Sequence, residues 1–178
     1  MDPYSIINKY YTKGTKLYDI YISHVTDVTN KALSIAQNHP ELAIDIQFLE
    51  EAAMLHDIGI FMTSAPHIAC KGKYPYISHG YLGSELLTEE GFPKHGLVCE
   101  RHTGTGLSVK IIKKRKLPLP HRDMIPQSME EKIICFADKF YSKSKLGREK
   151  PISKIRQNLK RHDTHQVSTF DNWCDMFL

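Results

Sequence analysis

Leu55-His56-Asp57-Ile58-Gly59 closes an apolar run that begins near Ile44. The run reads as a helix from about Ile44 to Asp57, with Gly59 as its C-terminal stop. Successive side chains on a helix point about 100° apart, so an adjacent His–Asp pair reaches one site only at a helix end or facing a pocket. A carboxylate placed there can bridge two cations. Working outward, His24 lies upstream, His79 and His102 follow, and Asp138 stands inside Ile134-Cys135-Phe136-Ala137-Asp138. Each sits in or beside an apolar segment, where an unpaired polar group is costly. All six are metal-ligand types, and together they point to a dinuclear metal site.

The surrounding pattern is helical nearly throughout, which predicts an all-α fold. Leu17 to Gln37 carries Leu17, Ile20, Tyr21, Val28, Ala32 and Ile35 at spacings of three and four. His24 falls four residues from both Ile20 and Val28 and so lies on that stripe. Ser78 reads as the N-cap of a helix ending near Gly91, with His79 in its first turn. Pro93 opens a helix to about His102, and a short basic helix spans Val109 to Lys116. The prolines between Leu117 and Pro126 exclude regular helix there. Ser128 and Glu131 have capping-box spacing ahead of a helix through about Ser142. Pro151 to Arg161 and Thr169 to Phe177 form two more helical segments. The expected organisation is one domain over residues 1–178, with a core of about 15–145 and a C-terminal helical extension of about 150–178.

At 178 residues the chain is long enough for one domain with a real core and short for two. Its 41% apolar and 25% charged content argue against global disorder. The charge of +4 is compatible with anionic substrates without diagnosing a nucleic-acid binder. The four cysteines form no C-x-x-C pair and read as free thiols. No run approaches the ~18 apolar residues of a membrane span, and no signal peptide is visible after Met1. A cytoplasmic location is the expectation.

Each candidate ligand has a plainer reading by itself. His24 can be a hydrogen-bonded core histidine, His79 a surface residue, and His102 a favourable helix-end charge. Asp138 in mid-helix between Ala137 and Phe140 is expensive without a cation or strong hydrogen bonds. The joint pattern decides, because each residue supplies the partner that the others need. A thiolate-poor imidazole and carboxylate set suits Fe, Mn or Zn and argues against structural Cys-type zinc.

The order His24, His56-Asp57, His79, His102, Asp138 resembles the HD-domain metal-dependent phosphohydrolases, and Leu55 to Gly59 is similar to that family's H-D-I-G form. The likeness covers roughly residues 15–145, and the two histidines between the H-D pair and the last Asp resemble its dinuclear branch. The resemblance implies an all-α helical bundle. It implies one metal on His24, His56, Asp57 and Asp138, and a second on His79 and His102, with Asp57 bridging as the catalytic centre. The expected cofactors are two divalent ions, Fe or Mn in preference to Zn or Mg. The expected reaction is hydrolysis of a phosphate ester, foremost a nucleotide, by metal-activated water. A di-iron oxygenase and a nucleotide-binding regulatory module without turnover are the competing readings.

One departure stands out. Many dinuclear relatives carry a lysine directly after H-D-I-G, where this chain has Ile60. The candidates to contact substrate phosphate in its stead are His121, Arg122 and Lys143. His95 reads as a surface imidazole. The run Lys113-Lys114-Arg115-Lys116 reads as a solvated helix face, so a nucleic-acid partner is not expected, and with no run long and apolar enough for a span neither is a membrane one.

Overall fold

The computed structural model describes residues 1–178 as nine helices around a minimal hairpin. They are α1 (Pro3–Tyr10), α2 (Lys16–Asn38), α3 (Ile46–Leu55), α4 (His79–Glu89), α5 (Pro93–Arg101), α6 (Val109–Lys114), α7 (Met129–Phe140), α8 (Ile152–Lys160) and α9 (Thr164–Phe177). Two short strands, β1 (Ser64–Ala65) and β2 (Cys70–Lys71), pair antiparallel between α3 and α4. The fold is the all-α bundle expected from the apolar periodicity. No helix is long and apolar enough to cross a membrane.

Two apolar clusters form the core, and α2 and α3 run through both. One gathers Val28, Ala32 and Ile35 of α2, Phe48 and Leu49 of α3, and Ile133, Ile134 and Phe136 of α7. The other joins Ile6 and Ile7 of α1, Tyr21 and Val25 of α2, and Leu55, Ile58 and Leu87. His24 sits on α2 between Tyr21 and Val28, where the clusters meet. A third, smaller cluster of Leu107, Ile112, Leu119 and Met124 anchors the proline-rich segment.

Several local expectations need correction. Helix α1 escaped the periodicity because it is one short stretch; its start is written in Asp2, whose side chain accepts from the Tyr4 N–H, and in Pro3. Gly59 is no left-handed helix stop. It lies inside a 3-10 turn, Ile58–Met62, that continues the chain after α3. A Cβ there would stand 2.3 Å from the His79 carbonyl oxygen and 2.6 Å from the Gly83 nitrogen, so glycine is required for close approach of α4. Ser78 makes no capping bond; its hydroxyl donates to the Pro118 carbonyl at 3.3 Å.

Ser128 does cap α7, accepting from the Glu131 N–H at 3.2 Å. The reciprocal half of the box is missing, because the Glu131 carboxylate accepts instead from Gln127 and Arg101. Helix α7 ends at Phe140, two residues short of Ser142. Helix α9 starts at Thr164 on an Asp163 cap, five residues before the apolar stripe becomes visible. Its Phe170, Trp173 and Phe177 are buried with Phe136 and Phe140 in the first cluster.

Candidate metal centre

Five helices deliver the six candidate ligands to one buried place. Helix α2 supplies His24 from its apolar stripe, α3 ends on His56, α4 begins on His79, α5 is capped by His102, and α7 carries Asp138. Asp57 occupies the joint between α3 and the 3-10 turn, with φ −107° and ψ 12°. That break in helix type is what allows His56 and Asp57, adjacent in sequence, to face the same point. Gly59 and Gly80 bring α4 and α5 close enough: a Cβ on Gly80 would lie 2.6 Å from the Cys99 carbonyl oxygen.

Three of the histidines are oriented identically. The Nδ1–H of His56 donates to the Ala53 carbonyl (2.7 Å), that of His79 to Tyr76 (2.6 Å) and that of His102 to Cys99 (2.7 Å). A carbonyl only accepts, so Nδ1 carries the proton and Nε2 presents a lone pair to the cluster. Backbone acceptors of this kind fix ring orientation in metal sites.

The lone pairs converge on Asp57. Its Oδ2 lies 3.0 Å from His24 Nε2 and 3.1 Å from His56 Nε2, and its Oδ1 lies 3.4 Å from His79 Nε2 and 3.5 Å from His102 Nε2. Asp138 Oδ1 approaches His24 Nε2 at 3.0 Å and His56 Nε2 at 3.7 Å. The ligand atoms fall into two groups, His24, His56, Asp57 and Asp138, and Asp57, His79 and His102, each compact enough to hold one ion. Asp57 belongs to both.

The donor chemistry fits cations. His24 Nδ1 and Nε2, His56 Nε2 and both Asp57 oxygens are buried without a hydrogen-bond partner. The Nε2 atoms of His79 and His102 face each other at 3.0 Å, a lone pair against a lone pair once both Nδ1 atoms hold their protons. Orphaned buried polar atoms at this density are costly by themselves, and a cation among the inward-facing Nε2 and carboxylate atoms would satisfy those. The nearest thiols stay out of the set: Cys99 donates to the Leu55 carbonyl and Cys135 to that of His102.

Charge balance follows. Burial opposes ionisation of Asp57, but the Lys143 ammonium and the imidazoles of His56, His102 and His24 around it override it and hold the carboxyl well below its ordinary value. Asp138 is held down likewise, burial being outweighed by Lys139, His24 and His56. Burial pushes His79 down to about 3 and lowers His102, so both are neutral ligands at pH 7. For His56, burial is outweighed by Asp57 and Asp138, which raise it to about 9, so a cation bound at its Nε2 would take the place of a proton there.

A cavity of about 300 Å³ opens on His24 and Asp138, and Tyr76, Lys139, Lys143 and Lys150 also line it. The Lys143 ammonium sits 2.5 Å from Asp57 Oδ2, and Lys139 is 2.8 Å from Asp138 Oδ2 while donating to the His102 carbonyl at 3.1 Å. Lys143 is thus brought to the site, whereas Ile60 is fully buried in the second apolar cluster. His121 and Arg122 are not brought there. His121 is exposed on the proline-rich segment, and Arg122 is held by a two-pronged pair with Glu100. His95 is buried, not on the surface, and pairs with Glu51 at 3.1 Å. Lys139 and Lys150 were not singled out from sequence. Lys139 had the signal of standing beside Asp138, while Lys150 had none.

Comparison with known proteins agrees with this geometry. The chain is 30% identical over 152 residues to a tRNA (cytidine(56)-2'-O)-methyltransferase of Picrophilus torridus, covering 85% of this chain and 40% of that protein. It is 32% identical over 120 residues to an uncharacterized protein of Methanocaldococcus jannaschii, covering 66% and 63%. A tRNA (cytidine(56)-2'-O)-methyltransferase of Thermoplasma volcanium is 29% identical over 128 residues, covering 71% and 33%. The chain therefore spans only part of each relative. No solved structure matches. The family model of the HD domain matches residues 21–142, from the turn before His24 to just beyond Asp138, and the chain belongs to the HD-domain family.

Proposed function

We propose that the protein is a metal-dependent phosphohydrolase acting on a small phosphate ester, foremost a nucleotide. The observation that carries this reading is Asp57, whose two oxygens divide between two histidine groups beneath a lysine-lined cavity. His24, His56, Asp57 and Asp138 would hold one divalent ion, and Asp57, His79 and His102 a second. Bound ions supply a water of strongly lowered pKa and positive charge for phosphoryl oxygens. A donor set of imidazoles and carboxylates, with Cys99 and Cys135 turned to backbone, favours Fe or Mn over thiolate-loving metals.

The chain's own residues do the rest. Two carboxylates held ionised by their neighbours give the centre the negative charge that cations need. The backbone-anchored imidazoles keep their lone pairs inward and cannot drift to other acceptors. Lys143 is positioned to take the place of the lysine missing after Gly59. Its ammonium neutralises Asp57 Oδ2 across the cavity floor, and a cation on that oxygen would relieve it to hold a phosphoryl oxygen. Lys150, half-buried in the same wall, offers a second positive charge. The relatives named as tRNA methyltransferases support a nucleotide or RNA-derived phosphate over other phosphate esters.

The test is metal analysis of the purified protein with a panel of phosphate esters. About two ions per chain and metal-dependent phosphate release are expected. A folded Asp57→Ala protein that kept full turnover would overturn the reading.

A further inference from the structure

A second cavity of about 510 Å³ adjoins the one over the cluster, and the two share Lys139, Asn158 and Leu159 in their walls. Its character differs. Ile77, Leu107, Leu117 and Leu159 give it apolar sides, and Arg115 and His162 stand at its edge. Those two residues belong to separate basic segments. Arg115 lies in Lys113-Lys114-Arg115-Lys116 at the end of α6, and His162 follows Lys160 and Arg161 at the end of α8. The fold thus gathers two basic segments, about forty-five residues apart in sequence, around one opening.

These cations are uncommitted. Lys9, Lys31, Arg101, Arg122 and Arg156 each hold a carboxylate. Lys113, Lys114, Arg115, Lys116, Lys160 and Arg161 are exposed and hold none. The nearby carboxylates of Asp123 and Asp163 accept from the Val109 and His165 N–H groups and pair with none of these cations. In a chain of net charge only +4, this is a concentrated positive field beside a concave apolar slot.

We propose that the second cavity and its basic rim dock the end of a single-stranded nucleic acid. The terminal phosphate reaches the lysines over the cluster, the adjoining nucleotide fills the apolar slot, and the next phosphates lie on the ends of α6 and α8. The assignment rests on the reading of the cluster as a phosphate site. A backbone-tracking basic groove beside a slot that takes a base is the pattern by which single strands are held without sequence preference. An anionic membrane fits less well, because none of the large exposed apolar residues, Ile46, Ile125 and Met176 among them, lines the cavity to serve as an anchor.

The experiment is fluorescence anisotropy with labelled single-stranded RNA of about ten nucleotides, bearing a terminal phosphate. The expected result is binding whose log K falls with log salt at a slope of about −2 to −4. Reversing either segment, Lys114→Glu with Arg115→Glu or Lys160→Glu with Arg161→Glu, should weaken it at least about tenfold, with the helical circular dichroism retained. Binding no tighter than that of a free mononucleotide, or indifferent to both reversals, overturns the inference, as does equal affinity for phosphatidylserine vesicles. If the strand binds as expected while the unaltered protein releases phosphate from no ester, the hydrolase reading falls and the docking surface stands.

Discussion

Asp57 concentrates the chemistry of this chain in one side chain, and removing it should do more than lower a rate. Asp57→Ala should cost metal from both groups at once, because each shares that carboxylate. Elemental analysis would show it, whereas His79→Ala should leave the group around His24 filled. Lys150 is the residue for a pH test. Burial, aided by Lys139 and Lys143 and opposed by Asp138, brings its ammonium down to about 8. The charged form attracts anions, so inorganic phosphate affinity should be greatest below that value and fall about tenfold as pH rises through it. Calorimetry on Lys150→Met should show that component of the pH dependence gone. Such residues explain what the sequence could and could not disclose. His24 and Asp138 were legible because a polar group inside an apolar stripe needs a reason. Lys150 was not, because a lysine in a loop looks solvated until the path of the chain brings it to a cavity. Arg122 looked available for the same reason, and only the fold shows Glu100 occupying it.

At the scale of elements, the site depends on how closely α4 and α5 approach the turn after α3. Gly59→Ala would press a methyl into the α4 backbone at His79 and Gly83. Overpacking of that kind costs about 1–3 kcal/mol, and the thermal midpoint should fall by about 2–4 °C per kcal/mol for a chain of this size. The displaced group is the backbone that carries His79, so metal content should fall with stability. The periodicity disclosed that helices exist here but not their spacing: Gly59 read as a stop signal because glycine serves both purposes, and only the facing backbone tells them apart.

For the whole molecule, α8 and α9 are inseparable from the bundle. Ile155, Leu159, Phe170, Trp173 and Phe177 cover Phe136 and Phe140, the apolar side of the helix that carries Asp138. A chain ending at Lys150 should lose its cooperative unfolding transition, which circular dichroism melting would register. Bound ions should act on the same equilibrium. At about 1,000 times their dissociation constant they add about 4 kcal/mol, so chelation should lower the midpoint of the intact protein.

The lysines that line the cavity also bear on how the centre is filled. Lys139, Lys143 and Lys150 welcome anions, and by the same field they repel a hydrated divalent ion approaching along that route. Loading and loss of metal should both be slow, so that the ion content of a preparation records the metals present while the chain folded, not those in the final buffer. Neutralising a lysine at the mouth, as in Lys150→Met, should speed capture of the ions by a colorimetric chelator. The protein would then keep its metal by the height of a kinetic barrier as well as by the depth of the well.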